Sequence, residues 1–250
     1  MKKINLIWDY DIESPSGSWV IDRERYDLSI AIDRMANSDY LIIYESRAII
    51  PDFYDAVLIN PIRWKKIFTH DLSICDGKKI IHIPPFTPTW ICESDYDIYK
   101  KSKLVSMIAS DKMMCDGHFY RDRVAKEFPY TDHLYGKGRR NELVNKIDGL
   151  KDYMFSVAIE NAKYDTYFTE KILDCFLTGT IPVYWGTDRI DTYFDPKGII
   201  NLESIRISDL NERMYNERKD SVIRNFEIAK NLKLTSGHMI DHILNIIYGG

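Results

Sequence analysis

The sequence predicts an α/β protein built on two parallel β-sheets, and three observations carry that reading. Short apolar β-like runs alternate with helical patterns along the chain, and strand–helix alternation is the signature of parallel sheets covered on both faces. The alternation falls into two series. Between them lies the densest proline cluster, Pro84-Pro85-Phe86-Thr87-Pro88. Proline neither donates to a sheet nor continues a helix, so this stretch is a loop and a domain boundary. Two Rossmann-like domains follow, residues 1–98 and residues 99–235, with a terminal helix over 236–250 that packs back on the first domain.

Taken in order, residues 4–8 read as a strand, 22–35 as a helix with Tyr26 and Ile30 on its apolar stripe, and 40–44 as a second strand. Residues 66–69 and 79–83 are two further strands. After the proline loop, 104–109 reads as a strand and 118–128 as a helix. Gly136-Lys137-Gly138 is a turn. Residues 141–151 are helical, 154–159 a buried strand, 169–177 a helix, and 181–185 and 198–202 strands. From Ser208 on the pattern is mostly helical.

Composition narrows the function. Of 250 residues, 34 are Lys or Arg and 38 Asp or Glu, a net charge of −4. A nucleic-acid partner would call for a basic excess, so none is expected. A phosphorylated small molecule needs only a few local cations and stays open. Cys75, Cys92, Cys115 and Cys175 form no CxxC pair, and scattered thiols suit a reducing compartment. No apolar run approaches the ~20 residues of a membrane span, and the N-terminus is too short in apolar residues for a signal peptide. A cytoplasmic protein without a transmembrane segment is expected.

The chemistry concentrates in residues 155–186, FSVAIENAKYDTYFTEKILDCFLTGTIPVYWG. It reads as strand, polar loop, helix, strand, with the loop at the carboxyl end of a buried strand, where open α/β sheets bind ligands. Thr169 caps the helix start, whose free N–H groups suit an anion. Lys171 adds positive charge, Glu170 can accept hydrogen bonds from sugar hydroxyls, and Asn161, Tyr164 and Tyr167 supply polar and stacking groups. Together they describe a pocket for a nucleotide sugar. Alone, a TEK tripeptide is capping plus surface charge; the ordered set with a strand on each side is what points to a site.

This segment resembles the signature of glycosyltransferase family 10, the α1,3/α1,4-fucosyltransferases: F-x-x-x-[FI]-E-N-[SA], then Y-x-T-E-K, then a helix and [VI]-P-V-x-[WL]-G. Phe155, Glu160-Asn161-Ala162, Tyr167, Thr169-Glu170-Lys171 and Ile181-Pro182-Val183-Tyr184-Trp185-Gly186 carry the match. Thr166 stands where many members have Asp. The resemblance covers roughly residues 104–202. It implies a GT-B-like fold, two facing Rossmann-like domains with the donor in the C-terminal one, and an inverting transfer from GDP-fucose without a tightly held metal or other cofactor. It implies that Lys171 contacts the donor pyrophosphate, Glu170 the fucose hydroxyls, and that Asn161 and Tyr167 line the site. A donor-binding arginine belongs on the helix after a strand ending in a small polar residue. Ser110 and His118-Phe119-Tyr120-Arg121 fit, with Arg121 the best match and Arg123 the alternative.

An inverting transfer needs a base for the acceptor hydroxyl. Glu45 follows a strand in YESRAIIPDFYD and projects from the carboxyl end of its sheet, toward the expected cleft; Asp71 and Glu13 are the alternatives. The acceptor is expected to be a glycan or glycolipid precursor. Rival readings are a transferase using another nucleotide sugar, a silent sugar-nucleotide or glycan-binding module, and a metal-dependent enzyme. The last would use a DxD such as Asp9-Tyr10-Asp11 or Asp95-Tyr96-Asp97. His238 and His242 have metal-ligand spacing but no third ligand. Gly136-Lys137-Gly138-Arg139-Arg140 lacks phosphate-loop spacing and reads as a basic turn.

Overall fold

The computed structural model describes residues 1–8, 11–139, 141–232 and 234–249. It divides into two compact units, Met1–Pro88 with Lys233–Gly250, and Thr89–Leu232.

The first unit holds a six-stranded sheet, all pairs parallel. Its strands are β1 (Lys2–Ile7), β2 (Trp19–Ile21), β3 (Leu28–Ile32), β4 (Tyr40–Ile43), β5 (Lys66–Thr69) and β6 (Ile80–His82), in the order β2-β1-β3-β4-β5-β6. One face carries Ala31, Leu41, Ile43 and Ile67, packed on Tyr54 and Val57 of α1 (Pro51–Ile59) and on Trp64. Ile30, Ile32, Ile42 and Phe68, the alternate residues, are also fully buried and point to the other face.

The terminal helix is α6 (Ser236–Tyr248), which buries Met239, Ile240, Ile243 and Leu244. It is tied to the first unit by Asp241, which accepts from Trp19 Nε1 at 2.6 Å and from Ser16 Oγ at 2.8 Å.

The expected helix over 22–35 is not formed: Leu28–Ile32 is a strand buried at every position. An apolar run this short fits either a buried strand or one helical turn, and β1 and β4 on either side decide it by pairing. Only residues 33–39 separate β3 from its parallel neighbour β4. That link must run back the length of a strand and has no room for a helix.

The second unit is a five-stranded parallel sheet ordered β11-β10-β9-β7-β8. Its strands are β7 (Lys103–Ile108), β8 (Leu134–Tyr135), β9 (Tyr153–Ile159), β10 (Ile181–Trp185) and β11 (Ile200–Asn201). α2 (Asp116–Lys126) follows β7 and α3 (Glu170–Phe176) follows β9; α4 (Glu212–Asn216) and α5 (Lys219–Asn231) come last. Val105, Met107, Phe155, Val157, Ile181 and Val183 form its core.

Numbered within the unit, the order is 2-1-3-4-5. The chain reverses direction between β7 and β9, and the crevice at the carboxyl ends of those two strands is where such sheets take ligands.

The helix expected over 141–151 shrinks to one 3-10 turn, Lys146–Gly149. The Asn141 side chain donates to the carbonyls of Thr131, Asp132 and Leu134, a competitor to helix bonds. A Cβ on Gly149 would stand 2.7 Å from Leu143 Cδ1 and 2.9 Å from Ile108 Cδ1, so the segment lies flat against β7.

Candidate active site

At the carboxyl end of β9 stands Glu160, with no exposed surface. A buried carboxylate must be paired, and this one takes three donors. The N–H of Thr169 reaches Oε1 at 2.9 Å, the Thr169 hydroxyl reaches Oε2 at 2.6 Å, and Lys171 Nζ reaches Oε2 at 3.3 Å. Thr169 is the N-cap of α3, as its sequence position predicts, and its oxygen accepts from the Lys171 N–H and Nζ.

The sequence reading leaves the N–H groups of this helix start and the charge of Lys171 free for an anion. The structure corrects this in detail. The Thr169 N–H is bound by Glu160, the Lys171 N–H by Thr169, and the Lys171 ammonium lies between Glu160 and Glu170, 3.5 Å from the latter. Burial works against that ammonium, but the two carboxylates outweigh it and raise its pKa. Glu170 is likewise penalised by burial, yet Lys171 and Lys146 pull it down to about 2. Lys146 joins Glu170, at 3.9 Å, to the buried Asp174, at 2.7 Å.

Arg121 lies across from this cluster on α2. It is 5% exposed. One terminal nitrogen donates to Ser110 Oγ at 3.4 Å, just past the end of β7. Among the described residues its buried Nε has no hydrogen-bond partner, and no carboxylate lies within ion-pair distance. Burial pulls its pKa below the usual arginine value. Arg123 is exposed, its guanidinium 4.9 Å from the Tyr120 ring centre.

α2 reaches the end of β9 because position 117 is glycine: a Cβ there would sit 2.1 Å from the Glu160 carbonyl oxygen. His118, one residue on, is buried. Its Nδ1 accepts from the Met114 N–H at 3.0 Å, so Nε2 carries the proton and donates to Asn161 Oδ1 at 3.1 Å. Burial, with the charges of Arg121 and Lys171 beside it, pushes its pKa down to about 4, so it is neutral near pH 7. Asn161 is thereby oriented, and Tyr167 is buried with its ring 6.4 Å from that of Tyr164.

The basic turn closes the same crevice. Gly136, at φ 137°, brings the end of β8 onto Ala109, and Arg139 donates to the carbonyls of Ala109 and Ser110 and to Asp122 at 3.0 Å. Arg140 lies outside the described residues.

Thus Arg121, Asn161, Tyr167, Thr169, Glu170 and Lys171 all sit in one unit around the switch point. Glu160, His118, Lys146 and Arg139 join them, and no role for any of these four follows from the sequence motifs. Glu160 had a signal: an acid directly after an apolar strand and nine residues before a threonine cap.

Glu45 lies in the other unit, exposed, just beyond β4. Its alternative Asp71 is occupied as the cap of Leu72–Ile74, accepting from Ser73, and stands 3.7 Å from Arg47. Glu13 lies between β1 and β2, its carbonyl against Gly237.

Of the two DxD tripeptides, Asp9 and Tyr10 lie outside the described residues. Asp97 donates its N–H to Leu177 at the carboxyl end of α3, the end of the sheet away from the crevice. His238 is engaged by its cap Thr235, and His242 lies against Phe86. Among the described residues no three His, Cys, Asp or Glu side chains are grouped to hold a metal, and no helix is long and apolar enough to cross a membrane.

Two parallel-sheet units, one with a buried arginine and a Thr-Glu-Lys helix start at its switch point, match the build of a GT-B-like glycosyltransferase. The chain belongs to glycosyltransferase family 10, the fucosyltransferases: residues 98–227, just over half of it, match the model of the family's C-terminal region.

It is 37% identical over 65 residues to an alpha-(1,3)-fucosyltransferase, FucT, of Helicobacter pylori, covering 26% of this chain and 14% of that protein. It is 30% identical over 79 residues to a putative fucosyltransferase, R654, of Acanthamoeba polyphaga mimivirus, covering 28% and 13%. These matches span less than a sixth of the relatives' length. In fold it is similar to a crystal structure of an alpha1,3-fucosyltransferase, at TM-score 0.60 and 16% identity, over 100% of this chain and 90% of that one. It is also similar to one solved with GDP, at TM-score 0.59 and 16% identity, over 93% and 91%.

Proposed function

We propose that this protein transfers fucose from GDP-fucose to a hydroxyl of a glycan or glycolipid-precursor acceptor, with inversion at the anomeric carbon and without a metal. The observation that carries the reading is Arg121: a buried guanidinium, short of partners, at the switch point where an anionic ligand belongs. Membership of the fucosyltransferase family supports it, as do fold neighbours solved with GDP and with GDP-fucose.

In this reading Arg121 binds the diphosphate bidentately and Lys171 contributes its positive charge from between Glu160 and Glu170. Both are held in place before reaction, so they stabilise the charge developing on the leaving GDP without reorganising. Thr169 acts with Glu160 to hold the helix start. Glu170, kept ionised by Lys171 and Lys146, accepts from sugar hydroxyls, and Asn161 and Tyr167 line the donor. Glu45 takes the proton of the attacking hydroxyl as the bond to the anomeric carbon forms and the bond to the diphosphate oxygen breaks. The four cysteines are all unpaired, which supports a cytoplasmic setting.

Calorimetry with GDP, GDP-fucose, GDP-mannose and UDP-galactose tests the donor, and NMR of the product tests the stereochemistry. Tight binding confined to GDP compounds, and a product of inverted configuration, are expected. Preference for a uridine donor overturns the donor assignment, and a product of retained configuration overturns the single-base mechanism.

A further inference from the structure

Asp33, directly after β3, is the only non-glycine among the described residues with positive φ, at 48°. The left-handed region is costly for a side-chain-bearing residue, and aspartate is among the few that tolerate it. Such an outlier points to a local demand that the surrounding structure sustains.

The demand is visible at the end of β4. The Asp33 N–H donates to the Ile42 carbonyl at 3.0 Å. Its carboxylate then accepts from the Tyr44 N–H at 2.8 Å and from the Glu45 N–H at 3.0 Å. On the other side of the same residue, the Tyr54 hydroxyl of α1 donates to the Glu45 carbonyl at 3.1 Å. β4 ends at Ile43, so both N–H groups lie beyond the regular strand. The backbone of Glu45 is clamped at its N–H and its C=O by two side chains.

We propose that Asp33 is a positioning residue for Glu45, fixing the peptide from which the acceptor-side carboxylate projects; this rests on the reading of Glu45 as the base. A general base must lie within hydrogen-bond reach of its proton, and small misplacements are expensive in rate. A glutamate on an unpinned loop would lack that placement.

The clamp also titrates. Burial pushes the Asp33 carboxyl up to about 7, with the charge of Glu45 adding to it and the two N–H bonds opposing. The titratable groups that act on it are Glu45 beyond β4 and Tyr54 of α1; Arg47 and Asp71 lie beside Tyr54, and His70 lies by the backbone of Tyr44 and Glu45. Deprotonated, Asp33 is a strong acceptor for both N–H groups; protonated, it is a weaker one.

The test uses the full chain, with GDP-fucose as donor, water as acceptor and GDP release as readout. Asp33→Asn is expected to lower kcat by about 10- to 100-fold with an unchanged KM for GDP-fucose. In a Glu45→Gln background it is expected to cost nothing further, because it acts through Glu45. In the wild-type protein the amide signals of Tyr44 and Glu45 are expected to titrate together near pH 7.

If Glu45→Gln lowers kcat and Asp33→Asn does not, or if the two losses add, the positioning role is overturned while the base stands. If Glu45→Gln has no effect, the base reading falls and the positioning role with it. Should Asp33→Asn not fold, hydrogen exchange of the wild-type amides decides: Tyr44 and Glu45 N–H groups protected from exchange support the clamp, and the same groups exchanging as fast as those of an open loop overturn it.

Discussion

Thr169 is bonded twice to Glu160, through its N–H at 2.9 Å and through its hydroxyl at 2.6 Å. This pair ties the first turn of α3 to the end of β9 and sets Lys171 between Glu160 and Glu170. Glu160→Gln keeps the shape and removes the charge, leaving a buried ammonium with one carboxylate. Chemical denaturation should show a loss of about 1–3 kcal/mol, and calorimetry should show weaker GDP binding as Lys171 loses its fixed position. Unchanged stability would mean that the helix start is held by other contacts.

Arg121 and Arg123 are two residues apart, but their surroundings differ: one is buried at the switch point, the other lies exposed over a tyrosine ring. Arg121→Ala should therefore weaken GDP binding by about 1.5–3 kcal/mol, the worth of a charge-assisted contact to phosphate. Arg123→Ala should change it little. The reverse result in a titration of both variants would move the donor contact to Arg123.

Gly117→Ala places a methyl 2.1 Å from the Glu160 carbonyl oxygen and 2.5 Å from that of Asn161. Backbone atoms cannot yield as a flexible side chain can, so the start of α2 must shift. A stability loss of about 1–3 kcal/mol is expected, with reduced GDP affinity because Arg121 rides on the same helix. Thermal melts with and without GDP measure both effects.

His118 is held neutral, its pKa pushed down to about 4 by burial. The unfolded chain takes up a proton here as pH falls through about 6.5, the folded chain only near 4. Stability contributed by neutral His118 is therefore lost between those values as the solution becomes acid. His70, also pushed down to about 4 by burial, acts in the same sense, and Asp33, pushed up to about 7, in the opposite one. The variant difference isolates the effect: the stability of wild type relative to His118→Gln should fall by about 3 kcal/mol from pH 7 to pH 4. A constant difference across that range would show that His118 is not kept neutral by the fold.

In the proposed reaction Arg121 and Lys171 would offer the leaving diphosphate the positive charge that a divalent ion brings elsewhere. GDP-fucose turnover should survive excess EDTA. Loss with EDTA and recovery with manganese would instead direct attention to the acidic tripeptide at Asp11.

The strands were the legible part of the fold. The runs at 66–69 and 181–185 coincide with β5 and β10, because a buried parallel strand is an apolar run bounded by breakers and carries its own signal. The helices at 22–35 and 141–151 misled. Leu28–Ile32 owes its conformation to β1 and β4, and the segment around Asn141 to side-chain bonds with the carbonyls of Thr131, Asp132 and Leu134.

By itself the sequence determined that this is a two-series α/β chain, that a polar loop with the family's Thr-Glu-Lys motif lies between β9 and β10, and that Thr169 caps a helix there. Those properties are local: periodicity, a proline break, a cap followed by an apolar face. Only the tertiary structure decided which charges are spoken for. Glu160 holds Thr169 and Lys171, Arg121 is buried short of partners beside them, and Asp33 grips the peptide of Glu45. Burial and pairing depend on what other strands and helices bring alongside a residue, and an ion pair between neighbours in space is invisible until the chain has folded around it.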